Sequence, residues 1–210
     1  MADIKDLHEF KEIRSELDYR INNIVATGAL ELAERLDLVK IARKFKTAEY
    51  FPERFPGLIF RQENPRSTFL IFSTGKMVIT GLEFIKDASL AANKLKKKMR
   101  KIGIKISDPI ITIQNIVANG DLHSNIDLNK GAILLEHAMY EPEVFPGLIY
   151  NMKDPRAVFL LFATGKFVCT GIKNKNIIEV AIRKLIEIIN RLNLSREKLT
   201  KDEEEELIFL

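Results

Sequence analysis

"FPGLIFRQENPRSTFLIFSTGKMVITG" occupies Phe55–Gly81, and "FPGLIYNMKDPRAVFLLFATGKFVCTG" occupies Phe145–Gly171. Sixteen of the 27 aligned positions are identical, at a constant offset of 90 residues. Each copy contains short apolar runs separated by a proline-containing turn and a Thr-Gly-Lys turn. This pattern is typical of antiparallel strands joined by tight hairpins. The chain therefore contains one β-rich unit twice.

The duplication continues on both sides of the quoted stretch. Upstream, "NNIVATG" (Asn22–Gly28) matches "QNIVANG" (Gln114–Gly120). Downstream, each copy places apolar residues at helical spacing, so a helix with one apolar stripe is predicted in both. The stripe residues are Ala88, Ala91, Ala92, Leu95, Met99 and Ile102, and, 90 positions later, Ile178, Ala181, Ile182, Leu185, Ile189 and Leu192. Two copies with a period near 90 indicate gene duplication rather than a solenoid.

Five strands and two helices are predicted in each copy. A first helix begins at Asp37 as its N-cap, and the long helix spans residues 87–101. The strands of the first copy are predicted at residues 21–27, 48–51, 57–62, 68–73 and 77–80. This content predicts an α+β fold in which a mostly antiparallel sheet carries its helices on one face.

The predicted strands are apolar on both faces. In "TFLIFS", Phe69 and Ile71 alternate with Leu70 and Phe72, and the second copy repeats the arrangement. Helices on one face would leave the other apolar stripe exposed to water. A large, flat partner is expected to cover it; a partner subunit or a further protein layer is the alternative.

Charge is distributed unevenly along the chain. Residues 1–18 and 195–210 each contain three basic and six acidic side chains, so each end has a net charge of −3. Because the whole chain carries +4, residues 19–194 carry +10. A basic body indicates a polyanionic partner. One cysteine, Cys169, and a charged N-terminus without an apolar signal core predict a reducing, cytoplasmic location and no membrane association.

The combined motifs resemble the TATA-box-binding protein family in its archaeal form. They are the two "N-I-V-A" strands, "AEYFPERFPGLIF" with "AMYEPEVFPGLIY", the Asn-Pro-Arg and Asp-Pro-Arg turns, and the two Thr-Gly-Lys hairpins. The resemblance implies a saddle: a curved ten-stranded antiparallel sheet of two pseudo-symmetric repeats, with four main helices on the convex face. The implied organisation is an N-terminal helical extension (1–18), repeat 1 (19–110), repeat 2 (111–194) and an acidic tail (195–210).

The resemblance also implies which residues contact DNA. Phe55 and Phe72, with Phe145 and Phe162, match the family's phenylalanines that enter base steps and kink the duplex. The expected minor-groove surface is Asn23, Val25, Thr27, Leu70, Val78, Thr80, Asn115, Val117, Leu160, Val168 and Thr170. The expected phosphate contacts are Arg61, Arg66, Lys76, Arg156 and Lys166. An apolar surface of this kind favours A·T pairs, since it would bury the amino group of guanine without a partner.

The resemblance further implies protein partners. Tyr140, Glu141 and Glu143 match the family's docking loop for transcription factor B, which leads indirectly to RNA polymerase. The chain is then a general transcription initiation factor, not an enzyme, that needs no metal and no cofactor. Homodimerisation in the absence of DNA is a further expectation.

Several residues depart from the repeat pattern. Asn151 stands where the first copy has Arg61, and Asn119 stands where it has Thr27, so a larger polar group lies on the DNA face. These departures raise the alternative of a diverged paralogue that selects or competes for promoters. An accessory domain of a nucleic-acid enzyme and a regulatory homodimer that binds no DNA are the alternatives from other classes.

Overall fold

The computed structural model describes residues 17–30, 32 and 34–196. Most of the predicted N-terminal extension (1–18) and of the predicted acidic tail (195–210) lies outside this part, apart from residues 17–18 and 195–196. Within it, the chain forms four helices and twelve strands. None of these helices is long and apolar enough to cross a bilayer.

Ten strands form one open antiparallel sheet, in the order β2-β3-β4-β5-β1-β6-β11-β10-β9-β8. The helices are α1 (Leu38–Lys44), α2 (Ile85–Lys101), α3 (Leu128–Leu134) and α4 (Lys175–Arg191). The strands of this sheet are β1 (Tyr19–Ala29), β2 (Ala48–Glu49), β3 (Leu58–Glu63), β4 (Arg66–Ile71), β5 (Lys76–Leu82), β6 (Ile110–Asp121), β8 (Ala138–Met139), β9 (Leu148–Met152), β10 (Ala157–Leu161) and β11 (Lys166–Ile172). The predicted α+β class, sheet and helix content are confirmed.

The described chain divides into two compact units. One contains Ile21–Val117 and Gly171–Lys175, and is called the first-repeat unit. The other contains Ala118–Thr170 with the described residues up to Arg20 and from Asn176, and is called the second-repeat unit.

In the first-repeat unit, α2 covers the face of the sheet that carries Phe60 and Phe69. Both rings are fully buried and meet edge to face at 6.3 Å, and the ammonium of Lys98 on α2 lies 5.0 Å from the centre of the Phe60 ring. Five of the six predicted stripe residues of α2 are buried, while Ile102 is partly exposed. The helix begins two residues earlier than predicted. At α1, the carboxylate of Asp37 accepts from the Lys40 N–H at 2.9 Å, which confirms the predicted N-cap.

Six of the eight residues in Lys94–Lys101 of α2 are basic, and most of them contact groups of their own unit. The Lys94 ammonium donates to the Asn64 carbonyl at 3.0 Å, and the Arg100 guanidinium donates to the Ile106 carbonyl at 2.8 Å. Lys96 pairs with Asp108. These contacts fasten two loops to the helix, so most of this positive charge has a structural explanation.

The second-repeat unit repeats the packing. Phe159 and Phe167 are buried with ring centres 6.0 Å apart, and five of the six predicted stripe residues of α4 are buried, with Leu192 partly exposed. Cys169 lies in this core, where burial raises the pKa of its thiol to about 12. The thiol therefore stays protonated near neutral pH, as expected for a small core residue.

A two-stranded sheet in the second-repeat unit is absent from the sequence prediction. It pairs β7 (Asn125–Ile126) with β12 (Ser195–Arg196), in the segment assigned to the acidic tail. The Arg196 guanidinium pairs with Asp127, the N-cap of α3. The Lys130 N–H and then this guanidinium hold the pKa of Asp127 below its usual value, because both stabilise the carboxylate.

One buried side chain breaks the apolar pattern of the first repeat. The Gln62 amide faces the core, and neither its nitrogen nor its oxygen has a hydrogen-bond partner among the described residues. Its counterpart 90 positions later, Met152, is buried without such a cost. An unpaired buried amide costs about 1–3 kcal/mol.

We therefore expect Gln62→Met to raise the free energy of unfolding by about 1–3 kcal/mol, because it removes this penalty while keeping a long side chain. Urea denaturation followed by circular dichroism measures the change. The reciprocal variant, Met152→Gln, is expected to lower stability by a similar amount. A less stable Gln62→Met protein would show that the amide makes a contact essential to the core.

Candidate nucleic-acid interface

Strand alternation separates the predicted interface from the core in both units. In the first-repeat unit, Ile24 and Ala26 point into the core and are fully buried, whereas Val25, between them, is partly exposed. The same alternation keeps the other predicted apolar contact residues, which are Leu70, Val78, Val117, Leu160 and Val168, partly exposed. The structure thus places the predicted groove residues on the sheet face opposite the buried one.

A pair of phenylalanines lies at this face in the first-repeat unit. Phe55 and Phe72 are both partly exposed, with ring centres 5.8 Å apart and planes inclined at 64°. Gly57 lies against both rings, since a Cβ there would come within 2.6 Å of Phe55 and 3.2 Å of Phe72. The absence of a side chain at Gly57 is what allows the two rings to approach each other.

The second-repeat unit builds the same pair. Phe145 and Phe162 lie 5.9 Å apart at 66°, and Gly147 occupies the position of Gly57. Neither pair is sealed in the core. Sequence reasoning found the four rings but not the role of the two glycines, although the repeated Phe-Pro-Gly motif was a visible signal.

The turn before each pair is identical in its backbone bonding. In the first copy, the Phe51 carbonyl accepts from the N–H groups of Arg54 and Phe55 at 2.9 and 3.0 Å. In the second copy, the Glu141 carbonyl accepts from Val144 and Phe145, both at 2.9 Å. Each turn therefore fixes the backbone of the first phenylalanine of its pair, and the turn of the second copy also carries the predicted protein-docking residues. Glu141 and Glu143 are exposed, and Tyr140 is partly exposed.

The polar contact residues are held by local hydrogen bonds. The Asn23 side-chain oxygen accepts from the Gly81 N–H at 2.8 Å and from the Thr80 hydroxyl at 3.2 Å. This orientation turns the Asn23 amino group away from the glycine. The second copy repeats the main contact, because the Asn115 side-chain oxygen accepts from the Gly171 N–H at 2.9 Å. Thr170 lies beside that glycine on β11 and is partly exposed, as Thr80 is on β5.

All five predicted phosphate contacts are exposed on the same face as the groove residues within their own unit. They alternate along the strands with fully buried positions: Arg61, Arg66 and Lys76 in the first-repeat unit, and Arg156 and Lys166 in the second. Arg61 also pairs with Glu49 on the neighbouring strand at 2.5 Å. Asn151, the counterpart of Arg61, is uncharged, and its amide donates to the His137 carbonyl at 3.4 Å.

A shallow cavity of about 770 Å³ adjoins the first phenylalanine pair. Thr27, Phe72, Lys76 and Val78 line it, and Ile110 and Thr112 complete its wall. Ile110 is 78% exposed, although it is apolar. Sequence reasoning missed these last two residues, which precede the recognised strand motif. In the described part of the chain, no group of three or more His, Cys, Asp or Glu side chains is arranged to hold a metal ion.

Comparison with known proteins relates this architecture to one family. The sequence model described as transcription factor TFIID, or TATA-binding protein, matches residues 18–102 and 110–192. The chain belongs to the TATA-binding protein family. The two matched segments contain the two repeats and together account for most of the chain.

Individual members of the TATA-binding protein family are similar over nearly their whole length. The TATA-box-binding protein of Pyrobaculum islandicum is 48% identical over 191 residues, which cover 90% of this chain and 95% of that protein. The TATA-box-binding protein of Sulfolobus acidocaldarius is 44% identical over 202 residues, covering 94% and 100%. A solved structure of Methanococcus jannaschii TATA-binding protein superposes with a TM-score of 0.75 at 37% identity, covering 83% of this chain and 99% of that one.

Proposed function

We propose that this chain binds A·T-rich promoter DNA in the minor groove and bends it by inserting two pairs of phenylalanines between base steps. The observation that carries the proposal is the pair of partly exposed, glycine-supported rings on the open face of each repeat: Phe55 with Phe72, and Phe145 with Phe162. Apolar wedges of this kind unstack a step at a cost of about a few kcal/mol, offset by contact with the widened groove.

The groove surface favours A·T pairs for a physical reason. Val25, Leu70, Val78 and Val117 in the first-repeat unit, with Leu160 and Val168 in the second-repeat unit, offer no acceptor to the amino group of guanine. That group would be buried without a partner. The side-chain oxygen of Asn23 is occupied by the Gly81 N–H, so its amino group supplies a donor for the acceptors that A·T pairs present.

The exposed cations position the duplex. Arg61, Arg66, Lys76, Arg156 and Lys166 contact phosphates and release counterions, so binding weakens as salt rises. Because phosphate contacts carry no sequence information, the apolar face and the ease of bending provide the preference for A·T-rich DNA.

In this proposal the bound chain recruits transcription factor B through Tyr140, Glu141 and Glu143, and thereby RNA polymerase. The matching loop of the first repeat carries Phe51 and Arg54 instead of an acidic and a neutral residue. This difference in charge makes one loop the docking site and leaves the other unsuited to the same partner. The chain thus acts on DNA inside the cell as an initiation factor rather than as an enzyme.

DNA recognition is tested by fluorescence anisotropy with a duplex containing a TATA element and a duplex in which G·C pairs replace it. Wild-type protein is expected to bind the A·T duplex at least about tenfold more tightly, since each unsuitable pair costs about 1–3 kcal/mol. Lys166→Ala is expected to reduce the slope of log affinity against log salt by about 1 while keeping this preference. Lys97→Ala, at an exposed position of α2, is the matched control. Equal affinity for the two duplexes would contradict the proposal.

Factor recruitment is tested by forming the ternary complex with transcription factor B in native gels. Glu143→Arg is expected to leave DNA affinity within about threefold and to weaken the ternary complex about tenfold or more, because it reverses a charge in the docking loop. The matched control is Glu53→Arg, the same change at the equivalent position of the first repeat. Equal ternary affinity for both variants would exclude the Glu143 loop as the docking site.

A further inference from the structure

Two equivalent positions on the proposed DNA face differ in their hydrogen bonding. In the first repeat, the hydroxyl oxygen of Thr27 accepts from the Gln114 side-chain amide at 2.9 Å. Gln114 is oriented in turn by Lys173, whose ammonium donates to its side-chain oxygen at 3.0 Å. The hydroxyl oxygen that Thr27 brings to the apolar face therefore already has a donor within the protein.

In the second repeat, the corresponding residue is Asn119. Its side-chain oxygen is shielded from water and has no hydrogen-bond partner within residues 17–196 as described. The residue lines a cavity of about 540 Å³ together with Pro146, Phe162 and Val168. A buried acceptor without a donor is uncommon in folded proteins, because it loses its bond to water and gains nothing in return. Rotation of the side-chain amide by a half-turn would bring the oxygen to the surface, and this rotation breaks no hydrogen bond of that oxygen.

The minor groove contains one donor that would satisfy this oxygen. A·T pairs present only acceptors there, whereas a G·C pair adds the N2 amino group of guanine. A carboxamide is suited to such a pair, because after that half-turn its oxygen can accept from the amino group of guanine. Thr27 is less suited, because one of the two lone pairs of its hydroxyl oxygen already accepts from Gln114.

We propose that Asn119 is a specificity-determining residue, through which the second repeat accepts a G·C pair next to the step opened by Phe145 and Phe162. The inference rests on the proposed minor-groove function. The first repeat, with Thr27 at the equivalent position, rejects a G·C pair there. One end of the target is therefore read differently from the other, and a nearly symmetric protein gains a preferred direction on DNA.

The test uses a self-complementary duplex whose element contains only A·T pairs. One G·C pair is introduced at successive positions inward from one end, and then at both symmetry-related positions at once. At one position, the single G·C pair is expected to weaken wild-type binding by less than about threefold, because the protein turns to place Asn119 over it. The double replacement is expected to weaken binding about tenfold or more, because one G·C pair must then face Thr27.

Asn119→Val, which removes the side-chain acceptor altogether, supplies the matched variant. It is expected to bind the all-A·T duplex within about threefold of wild type and to lose about tenfold or more with the single G·C pair. Inosine lacks the N2 amino group, so an inosine·cytosine pair at the same position is expected to restore the variant's binding. This control separates the amino group from any effect of sequence on bending.

A wild-type protein that loses about tenfold or more with a single G·C pair at every position would overturn the inference. The inference would also be overturned if wild type and Asn119→Val showed equal losses of affinity for the single and for the double replacement. Failure of wild type to prefer the all-A·T duplex over a G·C-only duplex would instead reject the proposed function itself. The wild-type comparison of single with double replacement decides the question even if the variant folds poorly.

Discussion

The structure depends on strands that are apolar on both faces while helices cover only one of them. In the first-repeat unit, Phe60 and Phe69 form the covered face with α2, and the alternate residues Leu70 and Phe72 remain partly exposed. Burial of one face stabilises each unit. The opposite face keeps apolar surface, and its removal from water by a partner lowers the free energy of the complex. The proposed partner, an opened minor groove, is flat enough and apolar enough to do so.

The two repeats share a backbone plan but differ in chemistry at a few equivalent positions. Gln62 corresponds to Met152 in the core, Thr27 to Asn119 on the open face, and Arg54 to Val144 in the loop before the phenylalanine pair. Each difference leaves the strand alternation intact, because period-two patterning depends on which face a residue occupies. Duplication thus supplied the scaffold, and substitutions at single positions gave its halves different chemistry.

The sequence was sufficient for the features that depend on local period. Strand alternation separated Phe69 and Ile71 from Leu70 and Phe72, and helical spacing identified the buried stripes of α2 and α4. The four ring positions came from the family resemblance, and their function stays a proposal. Element ends shifted by at most two residues, because hydrogen bonding, not hydropathy, sets where a strand ends.

Other features could not be predicted because they join residues that are far apart in the chain. The β7–β12 pair contains two-residue strands, which are too short to show any alternation. Gln62 is of a type that is usually exposed, so only the fold shows that its amide is buried without a partner. The sequence shows that Asn119 replaces Thr27 in the second copy. Only the structure shows that Thr27 accepts a hydrogen bond from Gln114, 87 residues away in the chain.

The most direct test of the account measures whether the phenylalanine pairs unstack DNA. 2-Aminopurine placed at the base steps near both ends of an A·T element becomes more fluorescent when its neighbours unstack, and energy transfer between dyes at the duplex ends reports the bend. The account predicts enhanced fluorescence at two separate steps with wild-type protein, and at only one step, with a smaller bend, with the double variant Phe55→Ala, Phe72→Ala. Tight binding to an unbent duplex without enhancement, or identical signals from the double variant, would contradict it.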